Sequence, residues 1–239
     1  MKLKVLTIAL GFGALSFTAC NNTPSKNVTL TNEADSVSYC LGATFGSNVV
    51  RGGIDNINMD AFLAAMQSAM DKDSLKIQPN DANRIIGMYV QKLRMQKADN
   101  NKQDGEKFLA DNKSKDGVVA LESGLQYKIL KEGNGVKPVA TDKVKVNYRG
   151  TLIDGTEFDS SYKRGEPVTF PANRVIKGWT EALQLMPVGS KWELYIPSDL
   201  AYGQRGAGAE IGPNSTLIFQ VELLEIVKED AKKAQPKKK

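Results

Sequence analysis

Val175-Ile176-Lys177-Gly178-Trp179-Thr180-Glu181-Ala182-Leu183-Gln184-Leu185 decides how the rest of this chain is read. An apolar pair meets a glycine, and Trp179 opens about two turns of helix that must stop at Pro187, because proline removes a backbone donor and clashes with the preceding turn. From about Gly117 onward the flanking sequence alternates as strands do. Val144, Val146 and Tyr148 share one face of the stretch 143–151, and Lys143, Lys145, Asn147 and Arg149 share the other. Asp154-Gly155 is a hairpin signal that returns the chain through Glu157, Phe158 and Asp159. Trp192, Leu194 and Ile196 form one further apolar face, and Leu217, Phe219, Val221 and Leu223 another. The pattern predicts an α+β domain whose antiparallel sheet is curled around this one short helix. Tyr148, Phe158, Phe170, Tyr202 and Phe219 are spaced to converge over Trp179. Asp159 follows Phe158, so on a regular strand it points away from it unless a bulge turns it inward.

Upstream the periodicity becomes helical. Val37, Leu41, Phe45 and Val49 recur every four residues from near Ala34 until Gly52-Gly53, and a second short helix starts after Asn58, a good N-cap, with Phe62, Leu63, Met66, Ala69 and Met70. Pro79-Asn80 opens a longer helix with an apolar stripe of Ile85, Ile86, Tyr89, Val90 and Leu93. From Gln96 to Lys107 it is almost wholly polar, which reads as a solvent-exposed arm between domains. Two thin amphipathic helices held off by such an arm predict burial against a second copy, with residues 34–95 carrying a homodimer. The organisation expected is a signal segment at 1–19, a tether at 20–33, a helical dimerisation region at 34–78 and a long linking helix at 79–116. A strand-rich domain at 117–228 and a disordered lysine-rich tail at 229–239 complete it.

Composition narrows the chemistry. The formal charge is +5, but Lys2 and Lys4 belong to the leader and six lysines fall between Lys228 and Lys239, so the basicity is a property of the ends and does not indicate a nucleic-acid partner. There is no histidine, which removes His-based triads, His metal sites and the usual general base. No metal or other cofactor is implied. The apolar run Val5 to Phe17 is too short for an ordinary spanning helix and ends at Thr18-Ala19-Cys20. If Cys20 is modified, Cys40 is the single remaining thiol and reads as a small buried apolar residue. The glycines at 203, 206, 208 and 212 fit no phosphate-binding spacing and read as a mobile flap.

The motifs resemble a known family. Tyr148-Arg149-Gly150-Thr151-Leu152, Asp154-Gly155, Phe158-Asp159-Ser160-Ser161, Val175-Ile176-Lys177-Gly178-Trp179, Leu200-Ala201-Tyr202-Gly203 and Ile211-Gly212-Pro213-Asn214-Ser215-Thr216-Leu217 occur in the order seen in FK506-binding-protein (FKBP) type peptidyl-prolyl isomerases. The helical half, with Ser38-Tyr39-Cys40-Leu41-Gly42, is similar to the dimerisation region of the macrophage infectivity potentiator subgroup, and residues up to Cys20 are similar to a bacterial lipoprotein signal. The resemblance implies a prolyl pocket floored by Trp179 and walled by Tyr148, Phe158, Val175, Ile176 and Phe219. It also implies that the Ile176 N–H and the Tyr202 hydroxyl hold substrate carbonyls, and that Asp159 sits at the edge near Tyr148 and Arg164. Arg164, Val168, Val175 and Ile211 are expected to touch substrate. The partners implied are proline-containing unfolded or partly folded proteins, and FK506- or rapamycin-type macrolides. Cys20 is expected to carry a lipid that anchors the protein in the cell envelope, at the outer membrane. Val168, Arg174, Ala207 and Glu210 depart from the best-known members and bear on substrate preference. Against an isomerase with folding-helper activity stands a non-enzymatic holder of unfolded chains, which retention of the seven residues Tyr148, Phe158, Asp159, Ile176, Trp179, Tyr202 and Phe219 disfavours.

Overall fold

The computed structural model describes residues 27–227; the signal-like segment, Cys20 and the tail from Lys228 lie outside the described residues. The chain divides into two units, one ending at Ser47 and one beginning at Asn48. Helix α1 (Glu33–Arg51) begins where the Asn32 carboxamide oxygen accepts from the Asp35 N–H at 2.9 Å. Glu33 and Asp35 lie in its first turn and Arg51 in its last, charges that suit the helix dipole. None of its residues is buried. Cys40 is therefore exposed and not the buried apolar residue expected of it, because Val37 and Leu41 beside it are uncovered as well.

In the second unit, α2 (Met59–Met70) is capped by the Asn58 side chain, which accepts from the Ala61 N–H at 3.0 Å. Helix α3 (Pro79–Asn112) starts with proline at its first position, where the missing N–H costs nothing. Its polar half is not a free arm. Ala98, Asn101, Gly105, Phe108 and Asn112 recur every three or four residues and, with Leu109, are at least partly covered, while the residues between them are exposed. This stripe eludes a search for apolar periodicity because it contains asparagine and glycine. A Cβ on Gly105 would lie 2.3 Å from Thr216 Oγ1, so glycine permits the close approach of helix and strand end.

The strands are β1 (Val118–Ala120), β2 (Gln126–Lys131), β3 (Lys143–Leu152), β4 (Glu157–Ser160), β5 (Val168–Pro171), β6 (Lys191–Ile196) and β7 (Leu217–Val227), with α4 (Ser161–Arg164) and α5 (Lys177–Leu185) between them. Their order is β1-β2-β6-β7-β3-β4, with β5 also on β3, and every pair is antiparallel. The α+β class holds, but the expected curl around the helix does not. The sheet is open: β1 at one end pairs with neither β4 nor β5 at the other, and α5 rests on one face. Alternation along a strand reports which side is apolar; it carries no information on strand order or closure.

The face under α5 holds Val144, Val146, Leu194, Ile196, Leu217, Val221 and Leu223, packed against Trp179, Ala182, Leu183 and Met186 of the helix and its end. Gly178 lets α5 settle on β6, since a Cβ there would meet Ile196 Cγ2 at 2.6 Å. The opposite face receives the end of α3: Phe108 meets Tyr195, and the buried Asn112 side chain donates to Gln126 Oε1 at 3.0 Å.

Candidate active site

Trp179 enters the core at the third position of α5 and is 4% exposed. Tyr148 and Phe219 stand edge-on to its ring with centroids at 5.3 and 5.1 Å, and Phe170 is tilted at 5.5 Å. Phe158 meets Phe219 edge-on at 5.4 Å. Such T-shaped contacts place ring edges against ring faces, as aromatic quadrupoles favour. Gly150 makes room for this packing, because a Cβ there would lie 2.7 Å from both the Phe158 and the Phe219 rings.

Above Trp179 lies a cavity of about 440 Å³ lined by Tyr148, Phe158, Asp159, Phe170, Arg174, Val175, Ile176, Tyr202, Ala207, Gly208, Glu210, Ile211 and Phe219. All seven residues expected to act together are thus on one cavity, as are Val175 and Ile211. Phe158 and Asp159, adjacent in sequence, both reach it because the β3–β4 register shifts between Gly150 and Thr151: Asp159 pairs with Gly150, Glu157 pairs with Thr151, and Phe158 is the extra residue. This is the bulge that strict alternation lacks.

Val168 is opposite Val146 on β5 and does not line the cavity; Phe170, two residues on, does. Arg164 is not on the lining but serves it from outside. Its guanidinium donates to Asp159 Oδ1, and to the Tyr148 hydroxyl at 2.7 Å, while that hydroxyl donates to Asp159 Oδ2 at 2.5 Å. Burial works against the charge on Asp159, but the bonds from Tyr148 and Arg164, with the Arg164 charge, outweigh it and hold the carboxyl below its ordinary range. The Tyr148 hydroxyl is pushed up by burial and by its bond to Asp159, and Tyr202 by burial and the Asp159 charge.

Both donors expected to hold substrate carbonyls remain open, and so does the Nε1–H of Trp179 in the floor. The Ile176 N–H, at the N-cap of α5, has no acceptor among the described residues, and neither has the Tyr202 hydroxyl. Among the described residues no group of histidine, cysteine and carboxylate side chains could hold a metal ion. The site offers a desolvated apolar floor with donors at its rim, and the Asp159 carboxylate at its edge is engaged by Tyr148 and Arg164.

The flap after Tyr202 is a built element. Ala207 and Ile211 bridge across it, and Gly206 adopts φ +66°, where a Cβ would meet the Ile211 carbonyl oxygen at 2.3 Å. Helix α3 holds its two ends. Arg94 donates to the Arg205 carbonyl at 3.1 Å, Asn101 to the Pro213 carbonyl at 2.7 Å, and Asn214 to the Ala98 carbonyl at 3.2 Å. Sequence reading assigned no role to Arg94 or Asn101, because partners more than a hundred residues apart leave no local pattern.

Comparison with known proteins agrees with this geometry. Residues 134–224 match the FKBP-type peptidyl-prolyl cis-trans isomerase family, and residues 34–129 match the domain amino terminal to FKBP-type peptidyl-prolyl isomerases. The chain is 46% identical to the outer membrane protein MIP of Legionella longbeachae over 235 residues, covering 95% of this chain and 99% of that protein. It is 46% identical to the FKBP-type 22 kDa peptidyl-prolyl cis-trans isomerase of Escherichia coli K12, covering 80% of this chain and 94% of that one. The crystal structure of FkpA from Escherichia coli superposes with a TM-score of 0.65 at 35% identity, covering 83% of this chain and 98% of that one.

Proposed function

This chain belongs to the FKBP-type peptidyl-prolyl cis-trans isomerases, enzymes that speed rotation about Xaa-Pro bonds in proline-containing proteins, and we propose that it does so in the cavity floored by Trp179. The observation that carries this reading is the pairing of a buried indole floor with two unoccupied donors, the Ile176 N–H and the Tyr202 hydroxyl. An Xaa-Pro amide rotates over a barrier of ~20 kcal/mol because its planar form has double-bond character. No bond is cleaved, so no nucleophile is needed. A cavity that strips water from the amide weakens the polar planar form, and fixed donors that hold neighbouring carbonyls favour a twisted one. Acceleration on the order of ten-thousandfold needs about 5.5 kcal/mol, within reach of desolvation and a few hydrogen bonds.

In this reading Tyr148, Phe158, Phe170 and Phe219 exclude water, and Asp159, fixed by Tyr148 and Arg164, sets the polar edge. Val175 and Ile211 touch the substrate. Exchange spectroscopy on a neutral proline tetrapeptide with the full chain tests it. Acceleration that is lost on Trp179→Ala while the fold is retained supports the assignment, and undiminished acceleration removes it. Macrolides of the FK506 type would compete for the same floor, at an affinity set by the rim residues Arg174, Ala207 and Glu210.

The setting is the cell envelope. Cys20 as a lipidated N-terminus would anchor the protein at the outer membrane, and the outer-membrane name of the 46% identical Legionella relative supports that placement. No helix among the described residues is long and apolar enough to cross a membrane. Mass spectrometry showing an unmodified residue 20 on the native protein would end the anchoring proposal. The homodimer expected through residues 34–95 is supported by large apolar side chains left exposed in the single chain. Among them, Leu41 is 67% and Met70 is 70% exposed. Sedimentation of the full chain as a monomer at micromolar concentration would remove it.

A further inference from the structure

The cavity carries two charges that its own structure does not neutralise. Asp159 is paired with Arg164 and Tyr148, so it presents little free charge to a substrate. Arg174 and Glu210 also line the cavity, and neither forms an ion pair or side-chain hydrogen bond with any described residue. They come from different walls. Arg174 stands in the turn between Pro171 and Ile176, fixed by its backbone N–H donating to the Pro171 carbonyl at 3.0 Å, and Lys177 adds a second exposed cation just beyond the open Ile176 donor. Glu210 stands on the flap, inside the short hairpin that the Ala207–Ile211 bridge closes. Both line the same cavity as the aromatic floor.

We propose that Arg174 and Glu210 read charge along the substrate, so that of two prolyl substrates flanked by residues of opposite sign, the one that lays its carboxylate toward Arg174 and its cation toward Glu210 is preferred over its reverse. The inference rests on the assignment of this cavity as the prolyl site. A peptide that fills the cavity meets Arg174 of the 171–176 turn and Glu210 of the flap. The low-dielectric floor focuses the field of both, and complementary charges then lower the energy of one chain direction and raise that of its reverse. Rim charges are hydrated and screened, so each contact is modest, but attraction in one direction and repulsion in the other compound in the ratio.

The test uses the full chain and three tetrapeptides, Ala-Glu-Pro-Lys, Ala-Lys-Pro-Glu and a neutral Ala-Leu-Pro-Phe, with cis-trans exchange followed by NMR without a coupling protease. One charged peptide should be isomerised about three- to tenfold more efficiently than its reverse at 20 mM salt, with the ratio falling toward one at 500 mM. Arg174→Gln and Glu210→Gln should each reduce the ratio, and the double reversal Arg174→Glu with Glu210→Arg should invert it. The ratio is the readout, so a general loss of activity in a variant does not obscure the outcome. Equal efficiencies for the two charged peptides, or a ratio unmoved by the double reversal, overturn the proposal while leaving the isomerase assignment intact. Failure to accelerate even the neutral peptide would instead overturn that assignment.

Discussion

The carboxamide of Asn101, in the middle of α3, donates to the main-chain carbonyl of Pro213 at 2.7 Å and lies 3.3 Å from Ser215 Oγ. The helix that leads to the catalytic domain is therefore bonded to the base of the loop that walls the cavity. Gly212 fits the same contact, since a Cβ there would stand 3.0 Å from both Lys97 and Asn101. Asn101→Ala should free the flap end. Losing one such hydrogen bond costs about 0.5 to 1.5 kcal/mol, and the effect should appear mainly in KM for proline peptides, with faster amide exchange over 203–212. Unchanged KM and exchange would show that the flap holds its place without α3.

Cutting the chain at Gly117 should give a folded but weakened domain. The cut removes Asn112, leaving buried Gln126 without the donor to its Oε1 and without the Leu109 carbonyl that its Nε2 reaches at 2.8 Å. The cut also uncovers Gln126, so water takes both places and the loss is that of two net hydrogen bonds, about 0.5 to 1.5 kcal/mol each. Chemical denaturation should place the chain beginning at Gly117 below one beginning at Asp81 by at least that much, and equal midpoints would mean the contact contributes nothing.

No single side chain should be indispensable as an acid or base would be. Tyr202→Phe keeps the ring and loses one donor, so activity should fall only about two- to tenfold. Asp159→Leu should cost more, roughly tenfold or beyond, because the charge-assisted bonds to Arg164 and Tyr148 go with it. Complete loss of activity in Tyr202→Phe would point to proton transfer instead.

Gly150→Ala should act through packing alone. The added methyl must displace the Phe158 and Phe219 rings, at about 1 to 3 kcal/mol of stability. Both activity and Tm should drop, and a variant with wild-type values for both would show that the rings have slack.

The activity profile should be flat from about pH 5 to 9. Tyr148 and Tyr202 are pushed up, Asp159 is held down, and the chain has no histidine to titrate between. The sign follows from Asp159: a lowered folded value means that its stabilising contribution is present above the unfolded value near 4 and is lost as pH falls through the lower folded value. Stability and activity should fall together below about pH 4, and a bell-shaped optimum near neutrality would contradict this account.

By itself the sequence determined what local chemistry governs. Asn58 capping α2, Pro79 opening α3, the Asp154-Gly155 turn and the alternation that puts Phe219 inward all follow from rules acting over a few residues. The converging aromatics over Trp179 were legible because alternation and ordered motifs fix which faces they share. Tertiary structure alone decided the rest. The sheet stays open because strand order and edge pairing depend on contacts between distant segments. Val168 and Phe170 share a face of β5, but only Phe170, paired with Val144, lines the cavity, while Val168 lies two residues away along the strand opposite Val146. Asp159 turns inward because a bulge absorbs one residue. Helix α3 grips the flap through asparagine, arginine and glycine, side chains whose value lies in hydrogen-bond geometry and close approach and which leave no hydrophobic period to read.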